Sequence, residues 1–357
     1  MDFELYKKQF REKALNNGFS EEIIIKCLNY SEKLLAQNLP IIYNSYHLAG
    51  LVGYQHTYLT RAISSTEFFY RKFKIQKKNG SYREISEPLP SLKEIQYFIL
   101  KEILYKKKVS RYCKSYIPKK KFREYLKYHT NEKQVLTLDI ENFFPSIKFD
   151  YIFNFFLELG YAADVSSYLS NLCTYSPTLN KIRIVDSSNR FLPQGAPTSP
   201  YLSNLVLIKF DDSVAEYCNQ RNIKYTRYAD DMAFSGKQIE KDDLIQFVEQ
   251  ELRKIGLNLN KDKTNFMKQN VKQIISGVIV NKKLQLPKNE RNNIRKSMYF
   301  ITKYGLESHK KMTNEKRDYY LLHLLGKIQY GLSLNPEDKE LIKYKGILIE
   351  EKKKYYS

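Results

Sequence analysis

Apolar residues recur at helical spacing through the first 60 residues. Ser20-Glu21-Glu22 offers an N-cap and an acidic first turn to a helix whose face carries Ile24, Ile25, Leu28 and Leu34. Residues 1–60 are therefore expected to form a helical N-terminal extension. The period drops to two in residues 70–88, where two alternating runs meet at Lys78-Asn79-Gly80. An Asn-Gly pair between such runs predicts a β-hairpin, here one carrying several cations. Leu92, Ile95, Ile99 and Leu100 next mark one helix face. Alternation returns at 134–140, placing Leu136, Leu138 and Ile140 on one face of a strand and Val135, Thr137 and Asp139 on the other. Asp139 is thereby turned from the more apolar face, towards a cleft.

Helical patterns fill 150–172, and the loop Pro193-Gln194-Gly195-Ala196-Pro197-Thr198-Ser199-Pro200 opens a helix through Asn204, Val206 and Phe210. A second hairpin is expected from strands at 223–229 and 232–235, with Asp230-Asp231 at its apex. A helix over about 242–255 should end at Gly256, a plausible C-cap. A single short strand is expected at 274–280, and helices dominate after Pro287. With hairpins and helices interspersed along one chain, an α+β fold is the expectation. No internal repeat or low-complexity linker interrupts the chain.

Charge changes the picture from a generic α+β protein to one with a polyanionic partner. The 357 residues hold 60 Lys and Arg against 39 Asp and Glu, a net charge of +21. Residues 101–133 alone carry 12 basic residues against three acidic ones, and residues 282–357 carry 18 against nine. In the first of these stretches Tyr105, Tyr112, Tyr116, Phe122, Tyr125 and Tyr128 are interleaved with the cations. Such a surface can neutralise phosphates and stack on bases or sugars. Cys27, Cys113, Cys173 and Cys218 lie far apart with no C-x-x-C pair, so neither a zinc site nor a disulfide framework is indicated. The N-terminus is charged, and no run of 18 apolar residues occurs. A cytoplasmic protein with no membrane association is the expectation.

Candidate chemistry centres on the acids. Nucleotidyl transfer needs hard oxygen ligands, because Mg²⁺ prefers them and keeps positions open for phosphate. Two ions about 3.5–4 Å apart activate the attacking hydroxyl and stabilise the leaving oxygen. A strand-borne Asp139 facing an Asp230-Asp231 hairpin would supply such a site. Adjacent acids repel unless a cation intervenes, although an Asp-Asp pair alone is also what a polar turn contains.

Three motifs in order give these acids a context: Leu138-Asp139-Ile140-Glu141-Asn142-Phe143-Phe144-Pro145-Ser146, Leu192-Pro193-Gln194-Gly195-Ala196-Pro197-Thr198-Ser199-Pro200 and Tyr228-Ala229-Asp230-Asp231. Together they resemble the motif set of bacterial reverse transcriptases over roughly residues 70–335. The resemblance implies a right-hand polymerase fold: a helical extension (1–60), fingers and palm (61–281) and a basic helical thumb (282–357). It implies that Asp139, Asp230 and Asp231 hold two Mg²⁺ ions, with Mn²⁺ a possible substitute. Phe144 would be the steric gate against a 2′-hydroxyl, where its alternative is a core aromatic like Phe143. Gln194 would lie beside the incoming nucleotide, and Gly195 would allow close backbone approach to template or nucleotide. Arg83 would hold the triphosphate, with Lys74 and Lys77 as weaker candidates better read as solvated hairpin charge. Lys263, in Gly256-Leu257-Asn258-Leu259-Asn260-Lys261-Asp262-Lys263-Thr264, would act near the leaving pyrophosphate as electrostatic stabiliser or proton donor. Ile275-Ser276-Gly277-Val278-Ile279-Val280 resembles the primer grip, and Leu325-Gly326-Lys327-Ile328-Gln329-Tyr330 the thumb.

The wording of these motifs is most similar to retron reverse transcriptases. That implies RNA-directed DNA synthesis on a structured non-coding RNA, with dNTPs as substrates, a DNA product, a role in antiviral defence and a possible effector protein. Two places depart from the retron pattern. Glu124-Tyr125-Leu126-Lys127-Tyr128-His129 keeps only the His of Asn-Ala-x-x-His, and Ile275-Ser276-Gly277 stands for Val-Thr-Gly. A defence-associated reverse transcriptase outside the retrons is the neighbouring reading. Readings from other classes are a catalytically silent RNA-binding scaffold and a palm-fold nucleotidyl cyclase, and neither requires the whole motif set.

Overall fold

The computed structural model describes residues 3–76, 80–176 and 189–355. Lys77, Lys78 and Asn79, and with them most of the expected turn of the first hairpin, lie outside the described residues. In chain order the elements begin with α1 (Phe3–Asn16), α2 (Glu21–Leu35), α3 (Ser45–Val52), α4 (His56–Ser64), β1 (Tyr70–Gln76), β2 (Tyr82–Pro88) and α5 (Pro90–Phe98). Then come α6 (Phe122–Lys127), β3 (Gln134–Asp139), α7 (Phe143–Ser146), α8 (Phe149–Glu158), α9 (Ala163–Cys173), α10 (Ser199–Val206), α11 (Ile208–Asn219), β4 (Lys224–Tyr228), β5 (Asp231–Gly236) and α12 (Lys241–Arg253). The chain closes with β6 (Asn265–Lys268), β7 (Ile274–Ile275), β8 (Val278–Ile279), α13 (Lys288–Tyr304), α14 (Leu306–Thr313), α15 (Tyr320–Leu334) and α16 (Lys339–Tyr355). These fall into two compact units, 1–117 with 140–214 and 248–259, and 118–139 with 215–247 and 260–357.

The first unit contains the N-terminal helices and the cationic hairpin. Ser20 caps α2 through its side chain, which accepts from the Ile23 amide. The buried face is Ile24, Leu28, Ser31 and Leu34, whereas Ile25 is exposed. Consecutive helical residues lie about 100° apart, so one narrow stripe cannot bury both isoleucines. The extension is fastened to the region before α9: Gln37 Nε2 donates to the Leu159 carbonyl at 3.0 Å, and the Tyr161 hydroxyl to the Pro40 carbonyl at 3.1 Å. β1 and β2 pair antiparallel from Tyr70↔Pro88 to Gln76↔Tyr82. Past α5 a π-helical turn over Ile99–Ile103 keeps Ile99, Leu100 and Ile103 buried. Arg190 is also buried, and it donates to four neutral oxygens of Thr66, Asn171 and Thr174 at 2.9 to 3.1 Å. It anchors the chain just ahead of the Gln194 loop. Helix α12 ends at Arg253, and Gly256 (φ 67°) closes it with a Leu257 N to Leu252 O bond.

The second unit contains an antiparallel sheet in the order β4-β5-β3-β6. Leu136 and Leu138 are buried on one face, as alternation requires. The opposite face is not an open cleft along its length. Val135 joins Ala233, Ile275, Val278, Ile294 and Leu324 in a core formed with the C-terminal helices, whereas the Asp139 end lines a cavity. The expected single strand at 274–280 is instead the hairpin β7–β8, because Ser276 (φ 45°) and Gly277 (φ 80°) both take left-handed backbone. Two successive positive φ values define a tight I′ turn, which reverses the chain. Gly331 on α15 lets Leu341 and Leu286 come so close that a Cβ would lie 2.5 and 2.9 Å from them. His129, fully buried, ties the end of α6 to the sheet through Ser235 Oγ (2.8 Å) and Thr226 Oγ1 (2.6 Å).

Candidate active site

Strand register builds the centre of the site. β3 pairs with β5 so that Asp139 lies directly opposite Asp231. On the other side of β5, Tyr228 pairs with Asp231, which leaves Ala229 and Asp230 as a two-residue turn. The adjacent aspartates therefore occupy different places: Asp231 begins the ladder and Asp230 sits in the turn. Ala229 takes a φ of 57°, unusual for a residue with a Cβ. The fully buried Arg227 donates to the Ala229 carbonyl at 3.0 Å and so braces that turn.

Asp139 and Asp231 open onto a cavity of about 480 Å³ that is also lined by Lys263, Tyr125, Met267 and Ser276. Lys263 Nζ lies 2.9 Å from both carboxylate oxygens of Asp139. Partial burial lowers the affinity of Lys263 for its proton, but the hydrogen bond to Asp139 and the charges of Asp139, Asp230 and Asp231 outweigh it, so its pKa is raised. Burial pushes the Asp231 carboxyl up to about 6, helped by repulsion from Asp230 and Asp139 and opposed by a hydrogen bond from Ser276. Ser276 Oγ donates to Asp231 Oδ2 at 3.1 Å.

This donor set fits a hard divalent cation. Carboxylates from neighbouring strands face each other, and their mutual repulsion is what a cation would relieve. Lys263 already supplies one positive charge at Asp139. Among the described residues no three His, Cys, Asp or Glu groups converge as a ready-made metal site. Asp139 and Asp231 are brought together, and Asp230 acts on Asp231 through its charge.

The remaining expected residues belong to the first unit. Arg83 is exposed on β2 opposite Ile75, and Lys74 is exposed opposite Glu84. Lys77 lies outside the described residues. Phe143 is buried while Phe144 is half-buried, their rings 5.3 Å apart. Gln194 is half-buried, and its carbonyl accepts from the Ser86 amide at 2.8 Å. Gly195 (φ 131°) approaches that same strand, where a Cβ would lie 2.7 Å from the Ser86 carbonyl. The close approach it permits in this structure is thus to the β1–β2 hairpin.

Sequence reasoning missed Ser276 as the partner of Asp231, Tyr125 behind it, and Arg227 beneath the turn. Arg227 had no distinguishing signal, being one of two cations in the strand Lys224-Tyr225-Thr226-Arg227-Tyr228. Ser276 and Tyr125 had none either, because their contact spans 151 residues.

The chain matches the family model "Reverse transcriptase (RNA-dependent DNA polymerase)" over residues 75–280. It is 31% identical over 281 residues to the retron Mx65 reverse transcriptase of Myxococcus xanthus, covering 76% of this chain and 62% of that enzyme. It is 28% identical over 271 residues to the retron Ec86 reverse transcriptase of Escherichia coli, covering 74% of this chain and 79% of that enzyme. A telomerase structure from Candida albicans, solved with a fragment of telomeric RNA, is similar over 80% of this chain and 62% of its own, at 12% identity and a TM-score of 0.43. No helix among the described residues is long and apolar enough to cross a membrane. With its palm-type sheet and a family match over more than half its length, the chain belongs to the reverse transcriptase family.

Proposed function

We propose that the protein is an RNA-directed DNA polymerase that extends a primer with dNTPs by two-metal nucleotidyl transfer. Its template would be a structured non-coding RNA copied in antiviral (phage) defence, as the retron resemblance implies. The observation that carries the reading is the Asp139↔Asp231 register, with Lys263 held on Asp139. Asp139 and Asp231, with Asp230 beside them, would hold the Mg²⁺ ions, and phosphate oxygens and water would complete the coordination. The ions would lower the pKa of the primer hydroxyl and neutralise charge on the phosphates. Lys263, mostly exposed and with its pKa raised, would stabilise or protonate the leaving pyrophosphate.

Within the same reading, residues 1–60 form the extension, 61–281 fingers and palm, and 282–357 the thumb. Arg83 binds the triphosphate, Phe144 is the steric gate, and Gln194 and Gly195 form the nucleotide-side loop. The half-buried position of Phe144, beside a fully packed Phe143, supports its gate role over a core role. The basic stretches at 101–133 and 282–357 favour an RNA partner. The departures at 124–129 and 275–277 favour a second reading, a defence-associated reverse transcriptase outside the retrons with another template or priming mode.

Two experiments test these readings. Purified protein should incorporate dNTPs on a primed RNA with Mg²⁺ or Mn²⁺; no incorporation across primers and with co-expressed RNA would leave an RNA-binding scaffold. Sequencing the nucleic acid that co-purifies should return one structured RNA joined to complementary DNA. A heterogeneous RNA pool would contradict the cognate-RNA reading.

A further inference from the structure

We propose that Ser276 and Tyr125 are positioning residues that fix the orientation of the Asp231 carboxylate for a divalent cation and tie it to the β7–β8 hairpin. The inference rests on the reading of Asp231 as a metal ligand.

Backbone conformation is the first observation. Ser276 occupies the first central position of an I′ turn at φ 45°, where Asn, Asp or Gly is the usual choice. A serine there is strained, and nothing in the turn itself requires its hydroxyl. Outside the turn, that hydroxyl donates to Asp231 Oδ2 at 3.1 Å. Its one proton is thereby committed, so Ser276 Oγ can only accept from the Tyr125 hydroxyl, 3.4 Å away.

The far end of this relay is rigid. Tyr125 is 2% exposed, and its ring is stacked on Tyr228 at 5.4 Å and 25° and packed against Phe122. Tyr228 is itself the ladder partner of Asp231. The Tyr125 ring thus braces the main chain opposite Asp231, while its hydroxyl braces the group that holds the Asp231 side chain. Pinning one carboxylate oxygen fixes the plane in which the other is presented. Outer partners of metal ligands act in this way, and their removal weakens metal binding without removing a ligand. Because Ser276 lies at the tip of β7–β8, a shift of that hairpin would be felt at Asp231.

If Ser276 served only the turn, Ser276→Gly would leave Mn²⁺ binding unchanged. Glycine adopts left-handed backbone freely, so Ser276→Gly should leave the fold at least as stable as the wild type. The test uses the full chain as wild type, Ser276→Gly, Tyr125→Phe and Asp231→Asn. Mn²⁺ binding is followed by loss of the free-ion EPR signal, melting is measured without metal, and dNTP incorporation is measured against Mg²⁺ concentration. Ser276→Gly should weaken Mn²⁺ binding roughly 10-fold while melting no lower than wild type. It should raise the half-saturating Mg²⁺ by a similar factor, and Tyr125→Phe should shift both in the same direction by less. A Ser276→Gly Mn²⁺ curve that overlays the wild type overturns the proposal, as does a loss of synthesis equal at every Mg²⁺ concentration. Should Ser276→Gly fail to fold, Tyr125→Phe decides by the same two curves. Wild-type Mn²⁺ binding that is absent, or untouched by Asp231→Asn, is a different failure, that of the metal reading itself.

Discussion

Burial and the charges of Asp230 and Asp139 hold the Asp231 carboxyl at a pKa of about 6, against 3.8 for the free group. A raised carboxyl pKa favours the folded state only while the group is protonated, so its contribution is full below about 4 and is lost as pH rises through about 6. In metal-free buffer at pH 7 to 8, Asp231→Asn should therefore melt above the wild type, and the gap should close as pH falls from about 6 to about 4. A gap that persists at pH 4 would assign the gain to something other than charge. Phe144 gives the other test at this scale. Phe144→Ala should reduce discrimination against ribonucleotides on the order of 10²-fold, measured as the ratio of kcat/KM for dNTP and NTP. Unchanged selectivity would return Phe144 to the role of a packing residue. The meeting of Asp139 with the Asp230-Asp231 turn was legible in the sequence because an alternating strand and a hairpin signal carry these acids. Ser276 was not, because only folding brings residue 276 to residue 231.

At the scale of elements, strong local signals set the hairpins and helices. The Ser20 cap, the β1–β2 alternation and the β3 strand all form where the pattern places them. The failures share a cause, which is backbone that a pattern of apolar residues does not encode. Residues 274–280 look like one apolar strand, but the left-handed Ser276-Gly277 pair splits them into a hairpin. The Asp139 face looks half-polar, yet its Val135 end is covered by helices more than 150 residues later in the chain. One contact in that C-terminal layer is electrostatic and testable. Arg291 meets Asp338 and Glu340 at 2.7 Å, and Arg295 meets Glu340 at 2.6 Å. Hydrogen bonds from Arg295 and then Arg291 hold Glu340 at a pKa of about 2, below its usual 4.5. A depressed carboxyl pKa adds stability above about 4.5 that disappears as pH falls towards 2. Glu340→Gln should therefore cost about 1 kcal/mol at pH 7, an amount reduced by solvent screening at these partly exposed groups, and almost nothing at pH 2. Equal destabilisation at both pH values, read by denaturant melts, would exclude the ion pairs as the cause.

For the whole molecule, the proposed function assigns two tasks to different parts of the chain: holding a polyanion to the net charge of +21, and transferring a nucleotide to the acidic centre. On the proposed reading, the basic stretches at 101–133 and 282–357 would bind, while Asp139, Asp230 and Asp231 would react. Nucleic-acid affinity and chemistry should then respond to different substitutions. The most direct measurement is single-turnover dNTP addition to a primed RNA by wild type, Asp139→Asn and Asp231→Asn, with RNA affinity measured in parallel. Losing a metal ligand removes several kcal/mol of transition-state stabilisation, so both variants should be slower on the order of 10³-fold while RNA affinity stays within about threefold. Undiminished synthesis by either variant would contradict the two-metal assignment, and a parallel collapse of RNA binding would contradict the separation of binding from chemistry.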